Sequence, residues 1–242
     1  MAKRKKILLF AWLFAIFSCF YGQTDCYAQN FWERLTGSNK PKTENIKSND
    51  NQKSNKKKQN IPETDPLDYS LDENLLVPAV PQKLHEAVTR HMNSTAKKLA
   101  QRKLEKIETL RNGEVIVATI GTDGLFAPND TIPRKEAYEL LRPYYNLLNL
   151  PGYYKIVMAL HTDNTGSEQY TDYLSEARIN EIYNLMASHT DNEGQLIPYA
   201  LGASDPLLPN DSQNNRATNR RLEIFIVPDK LLIEMARTHK LQ

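Results

Sequence analysis

The apolar positions of this chain change their spacing several times after residue 80, and each change marks an element. Leu84, Val88, Met92, Leu99, Ile107 and Leu110 fall close to one stripe with few helix breakers between them, which predicts a long amphipathic helix over 81–111. The stripe breaks near Thr95 and Lys103, so packing on a neighbouring domain is favoured over a dimeric coiled coil. Asn112-Gly113 stops the helix, and 114–120 alternates in β-branched residues as a first strand. A turn over 125–130 leads to Pro133 and a helix to 149, with Ala137, Leu140, Leu141, Tyr144 and Leu148 on one face; Pro143 predicts an interruption within it. After Pro151-Gly152, an apolar run over 154–160 reads as a buried strand. Residues 170–186 return to helical spacing, and 196–201 and 221–227 supply two more strands. Strands alternating with helices predict an α/β (α+β) domain over 112–228, a mixed sheet with helices on one face. The polar stretch 202–219 is expected to be a loop, and 229–242 a terminal helical tail with Leu231, Leu232 and Met235 inward.

Ahead of these elements the pattern disappears. Residues 36–60 are rich in Asn, Lys and Ser and too poor in apolar residues to bury a core, so 29–80 is expected to be a flexible linker, stiffened towards its end by Pro62, Pro66, Pro78 and Pro81. Further upstream, Lys3 to Lys6 form a basic cluster before an apolar run over 7–21 and a small-residue site at Cys26-Tyr27-Ala28, which reads as a signal peptide over 1–28. An alternative places a lipobox at Ile16-Phe17-Ser18-Cys19, with Cys19 lipidated in an outer-membrane lipoprotein. Both cysteines lie in this leader, so cleavage after Ala28 leaves no thiol for a disulfide.

Charge narrows the partners. Of 31 basic and 29 acidic residues the leader holds four and one, which leaves 27 against 28, a balance that gives no reason to expect nucleic acid. The chemistry gathers in HTDNTGSEQYTDYLSEAR over 161–178. Asp163 follows a buried strand, and Arg178 shares a helix face with Leu174 and Ile182, so acid and base face one strand-loop-helix crevice. Such a pair suits a ligand carrying an ammonium and a carboxylate on one carbon, an amino-acid centre; a salt bridge pinning the loop to the helix is the competing reading. His161 with Asp163 and His189 lacks the further ligands of a metal site, and Ser175, His161 and Asp163 make a poor relay because His161 and Asp163 share a strand face. Ser175 is expected to bond within its own helix.

Four segments in order resemble the OmpA-like C-terminal domain, a peptidoglycan-binding module of bacterial envelopes: Leu125-Phe126, His161 to Gly166 as H-T-D-x-x-G, Leu174 to Arg178 as L-S-x-x-R, and Asn219-Arg220-Arg221. The resemblance implies a βαβαββ-type two-layer sandwich preceded by a long helix and a disordered linker. It implies that Asp163 and Arg178 hold the diaminopimelate side of the peptidoglycan stem peptide. Thr162, Leu174, Phe126 and Arg220 would line the pocket and Asn219 would shape its floor, with one of Arg220 and Arg221 turned to solvent. Thr171 stands where the family commonly has Asn, and Leu160 where it often has Gly. The implied function is a non-catalytic periplasmic protein, outer-membrane associated through lipid on Cys19 or a protein partner, that tethers the outer membrane or an envelope complex to the cell wall. The alternative is an assembly subunit of an envelope secretion or motility machine, with wall binding only as its anchor. No cofactor or metal is implied.

Overall fold

A computed structural model describes residues 65–241. The signal peptide, Cys19 and the linker up to residue 64 lie outside the described residues. The first α-helix among the described residues is short, α1 (Leu71–Leu76), started by a capping box in which Ser70 and Glu73 bond each other's backbone N–H. There follow α2 (His85–Ala100), β1 (Lys106–Leu110), β2 (Val115–Gly121), α3 (Lys135–Leu147), β3 (Tyr154–His161), α4 (Glu168–Ala187), β4 (Leu196–Gly202), α5 (Gln213–Asn219), β5 (Arg221–Pro228) and α6 (Lys230–Arg237).

The strands form one mixed sheet in the order β1-β2-β5-β3-β4, antiparallel except where β3 pairs with β4. Side chains alternate across it. Ile116, Ala118, Ile120, Ile156, Met158, Leu160, Leu222, Ile224 and Ile226 meet α2, α3, α4 and α6 in the main core. The alternate set, Val115, Val117, Val157, Ala159, Phe225 and Val227, forms a second cluster with Leu75 of α1 and with Leu110 and Ile197. With both faces covered, β3 and β5 are buried along their whole length, which is why their sequences are mostly apolar and their charged residues, Lys155, Arg221 and Glu223, are buried as well.

The α+β sandwich is therefore present, with several departures from the expected elements. The helix expected over 81–111 ends at Ala100: Lys103 turns the chain with φ 56°, and KIETL pairs with β2 as an edge strand. Ile107 and Leu110 fitted a helical stripe, yet their period-two neighbours serve a strand. The sheet gains this leading strand, and the loop over 202–219 contains α5, so the order is ββαβαβαβ rather than βαβαββ.

The end of the expected linker is ordered from residue 65. Buried Asn74 donates to the Tyr199 hydroxyl at 2.6 Å and accepts from Lys155 Nζ at 3.0 Å, Tyr199 donates to the Tyr69 carbonyl at 2.6 Å, and Leu75 seals the second core. In α6, Leu232, Ile233 and Ala236 point inward, while Leu231, expected inside, is exposed.

Nor does Pro143 break α3. A proline there cannot donate to the carbonyl of Glu139. Arg102 supplies the missing donor: Nη2 bonds the Glu139 carbonyl at 2.9 Å, and Nη1 reaches the Leu140 carbonyl at 3.4 Å.

Candidate functional site

Register decides which residues meet. β5 lies between β2 and β3 and runs against both, with Arg221 opposite Gly121 on one side and His161 on the other. The ends of β2 and β3 and the beginning of β5 thus fall in one row. Residues just beyond that row, Asp123, Arg220 and Thr162-Asp163, emerge together at one edge of the sheet. The Thr122 N–H donates to the Arg220 carbonyl at 3.0 Å and the Thr162 N–H to the Gly202 carbonyl at 2.7 Å, fixing these turns to each other. Beside them α4 begins at Ser167, whose hydroxyl accepts from the Tyr170 N–H at 3.2 Å, and its first turns present Tyr170, Thr171, Leu174 and Arg178.

Together these elements and the 127–130 loop enclose a cleft of about 590 Å³, lined among others by Asp123, Thr162, Asp163, Leu174, Arg178 and Arg220. Asp163 and Arg178 share it without touching. Asp163 Oδ2 accepts from Arg220 Nη1 at 2.8 Å and Oδ1 from the Thr165 N–H at 2.8 Å. Burial raises the Asp163 pKa, but the Arg220 and Thr165 hydrogen bonds outweigh it and hold the carboxyl below its ordinary value. The salt bridge between Asp163 and Arg178, the competing reading of the sequence, does not form. Arg178 is only 5% exposed, donates from Nε to the Asp130 carbonyl at 2.8 Å and from Nη2 to the Ala127 carbonyl at 3.2 Å, and lies 4.8 Å above the centre of the Phe126 ring. Among the described residues no carboxylate forms an ion pair with it, and burial pulls its pKa down.

Five of the seven residues named for the pocket, Thr162, Asp163, Leu174, Arg178 and Arg220, line the cleft. Phe126 is buried beneath Arg178, supporting the guanidinium. Thr162 is 5% exposed, and its hydroxyl has no partner within the protein. Asn219 does not form the floor: fully buried, it accepts from the Leu208 N–H at 3.0 Å and donates to the Leu208 carbonyl at 2.7 Å and to Asn210 Oδ1 at 2.9 Å, clamping the loop before α5. Arg220 faces the cleft. Its neighbour Arg221 is not in solvent either, contrary to the expectation for one of the two: it is 1% exposed and paired with Glu223 at 2.8 Å, because strand alternation turns it under the second sheet face. Thr171 lines the cleft while its hydroxyl donates back to the Glu168 carbonyl at 2.9 Å. Leu160 is buried in the main core.

The drawn relay is not assembled. Ser175 donates to the Asp172 carbonyl at 2.9 Å, as expected for a local helix bond, and accepts from the Gly202 N–H at 3.1 Å, while His161 faces Glu223 at 3.4 Å inside the protein. Among the described residues no three His, Cys, Asp or Glu side chains group to hold a metal ion. Sequence reasoning missed Asp123, which reaches Arg220 from a distant turn, and Tyr170, whose hydroxyl donates to Asn129 Oδ1 at 3.2 Å across the cleft. Tyr170 carried a signal, lying one turn before Leu174 on the same helix face; Asp123 carried none.

No family model matches this chain, and no curated protein matches it. Solved structures do. A MotB-like protein from Desulfovibrio vulgaris superimposes with a TM-score of 0.50 at 20% identity, over 66% of this chain and 99% of that one. The cell wall anchor of the T6SS from Pseudomonas aeruginosa gives 0.47 at 25% identity over 59% and 97%. The OmpA-like domain of FopA1 from Francisella tularensis gives 0.39 at 16% identity over 52% and 82%. The resemblance read from the four motifs holds at the level of the fold.

Proposed function

We propose that this domain is a non-catalytic peptidoglycan-binding module that grips the diaminopimelate stem peptide and tethers the outer membrane or an envelope complex to the cell wall from the periplasm. One observation carries this reading: Arg178 is a buried cation supported by backbone carbonyls and an aromatic face, with Asp123 and Asp130 acting on it only from beyond ion-pair distance, in the same cleft as the carboxylate of Asp163. A buried charge without a counter-ion is costly, and an incoming carboxylate relieves that cost. The free edge of the guanidinium forks onto the ligand carboxylate, Asp163 takes the ammonium group on the same carbon, the unpartnered Thr162 hydroxyl bonds one of them, and Leu174 lies along the methylene chain. Asn219 contributes indirectly, by holding the loop that leads to Arg220.

Charge-assisted hydrogen bonds contribute about 1.5–3 kcal/mol each, so a few of them, less the cost of ordering the ligand, give reversible attachment. Many copies on one polymer then raise avidity. The full chain should pellet with purified peptidoglycan sacculi, and folded Asp163→Ala and Arg178→Ala variants should remain in the supernatant. Wild type remaining soluble, or both variants pelleting like wild type, overturns the reading.

A further inference from the structure

Arg220 is shared between two carboxylates, and the sharing is lopsided. Nε and Nη2 lie 3.3 and 3.1 Å from the two oxygens of Asp123, whereas only Nη1 reaches Asp163, at 2.8 Å. A guanidinium facing a single carboxylate prefers the two-bond fork. Without Asp123, that fork is available on Asp163, whose Oδ1 already accepts from Thr165. Three of the carboxylate's roughly four acceptor sites would then be occupied, with little left for a ligand.

We propose that Asp123 is a positioning residue of the cleft: by holding the Nε edge of Arg220, it limits that arginine to one bond with Asp163 and keeps the remaining Asp163 lone pairs open to a ligand ammonium group. This rests on the reading of the cleft as a site for an amino-acid centre. The placement is built into the backbone, because the Thr122 N–H is bonded to the Arg220 carbonyl at 3.0 Å, which fixes the Asp123 turn beside the root of the arginine. Charge points the same way. Asp123 and Asp163 exceed Arg220 by one negative charge, the complement of an ammonium group, while Arg178 lines the same cleft and offers its charge to a carboxylate.

The Asp123 side chain is 73% exposed, so its removal leaves the core intact. The test is a four-member cycle in the full chain: wild type, Asp123→Ala, Arg220→Ala and the double variant, each titrated calorimetrically with meso-diaminopimelate and checked by thermal melting. Asp123→Ala should lose about tenfold in affinity, the equivalent of one weakened charge-assisted contact. In the Arg220→Ala background the same substitution should change affinity by less than about twofold, since no arginine remains to be held.

Unchanged affinity in Asp123→Ala overturns the proposal. So does an equal loss in both backgrounds, which would mean that Asp123 adds only its own charge. If wild type binds no meso-diaminopimelate, the reading of the cleft falls and this inference falls with it. If wild type binds and the cycle shows no coupling, the inference falls alone.

Discussion

Replacing Arg178 with methionine keeps a side chain of similar length and apolar stem while removing its charge and donors. The losses within the protein are the hydrogen bonds to the Asp130 and Ala127 carbonyls, about 1.5–3 kcal/mol each at most, and about 0.5–1 kcal/mol from the Phe126 face. Both carbonyls belong to an exposed or half-exposed loop, so water takes up much of what is lost. Against this stands the cost of keeping an unneutralised cation out of water, several kcal/mol, which the substitution removes. The two sides nearly cancel, and stability should change by no more than about 1 kcal/mol, a melting shift within about 4 °C for a domain of this size. Ligand binding, in contrast, loses a two-bond fork of roughly 3–6 kcal/mol, more than a hundredfold in affinity. Arg221→Met is the internal control. Its guanidinium is fully paired, and removal leaves Glu223, which has no exposure at all, with only His161 beside it, at about 3–5 kcal/mol. Thermal melting with sacculus co-sedimentation checks both variants. Arg178→Met losing more than about 3 kcal/mol, or still pelleting with sacculi, refutes the reasoning, because Arg178 would then be a structural arginine.

Three further outcomes follow from the same geometry. Arg102→Ala should destabilise by about 2 kcal/mol in wild type but by about 1 kcal/mol less in Pro143→Ala, whose restored N–H serves the Glu139 carbonyl; equal losses in chemical denaturation would show that Arg102 does not stand in for that donor. The folded pKa of Asp163 lies below its ordinary 3.8, so its pairing with Arg220 contributes stability above that value and loses it as pH falls through the lower folded value; Asp163→Asn should flatten this part of the acid limb in melting curves. Burial lowers the Lys155 pKa from 10.5 to about 8, so between those values the unfolded chain binds more protons and stability should rise with pH; Lys155→Met should abolish that rise, and an unchanged slope would place it elsewhere.

The helices and strands that carry the cleft were legible because burial on one or both faces imposes a period on sequence. The fully buried β3 and β5, and α4 with Leu174, Arg178 and Ile182 inward, are examples. What escaped depends on partners distant in the chain. Nothing near Pro143 reveals that Arg102 satisfies the carbonyl it leaves bare. Half of residues 65–80 are apolar, yet their spacing does not reveal that Leu75 and Asn74 dock this stretch beside Tyr199 and Lys155. KIETL was absorbed into a helix because Ile107 and Leu110 satisfy a spacing of three, and only pairing with β2 distinguishes the two periods. The same holds in the site. Local reasoning placed Asp163 and Arg178 in one crevice but could not assign their partners, since those come from residues 123, 127, 130 and 220.

The three arginines at this end of the domain differ in how far the protein satisfies them, and that gradient separates support from recognition. Arg221 is held by Glu223 and Asp205 and by the carbonyls of Asn219 and Asp205, a closed network joining the starts of the strand and its preceding loop. Arg220, one residue earlier, is shared between exposed Asp123 and buried Asp163. Arg178 receives carbonyls and a ring but no opposing charge. The first difference arises where β5 begins, since Arg221 is its first residue and turns under the sheet while Arg220 just before it caps α5; the second arises because Arg178 of α4 bonds only backbone oxygens of the 127–130 loop. A fold that neutralised all three would gain local electrostatic stability and have no reason to bind. On the proposed reading, leaving Arg178 without an ion-pair partner costs stability that the two covered sheet faces supply, and directs its attraction to a carboxylate arriving from outside.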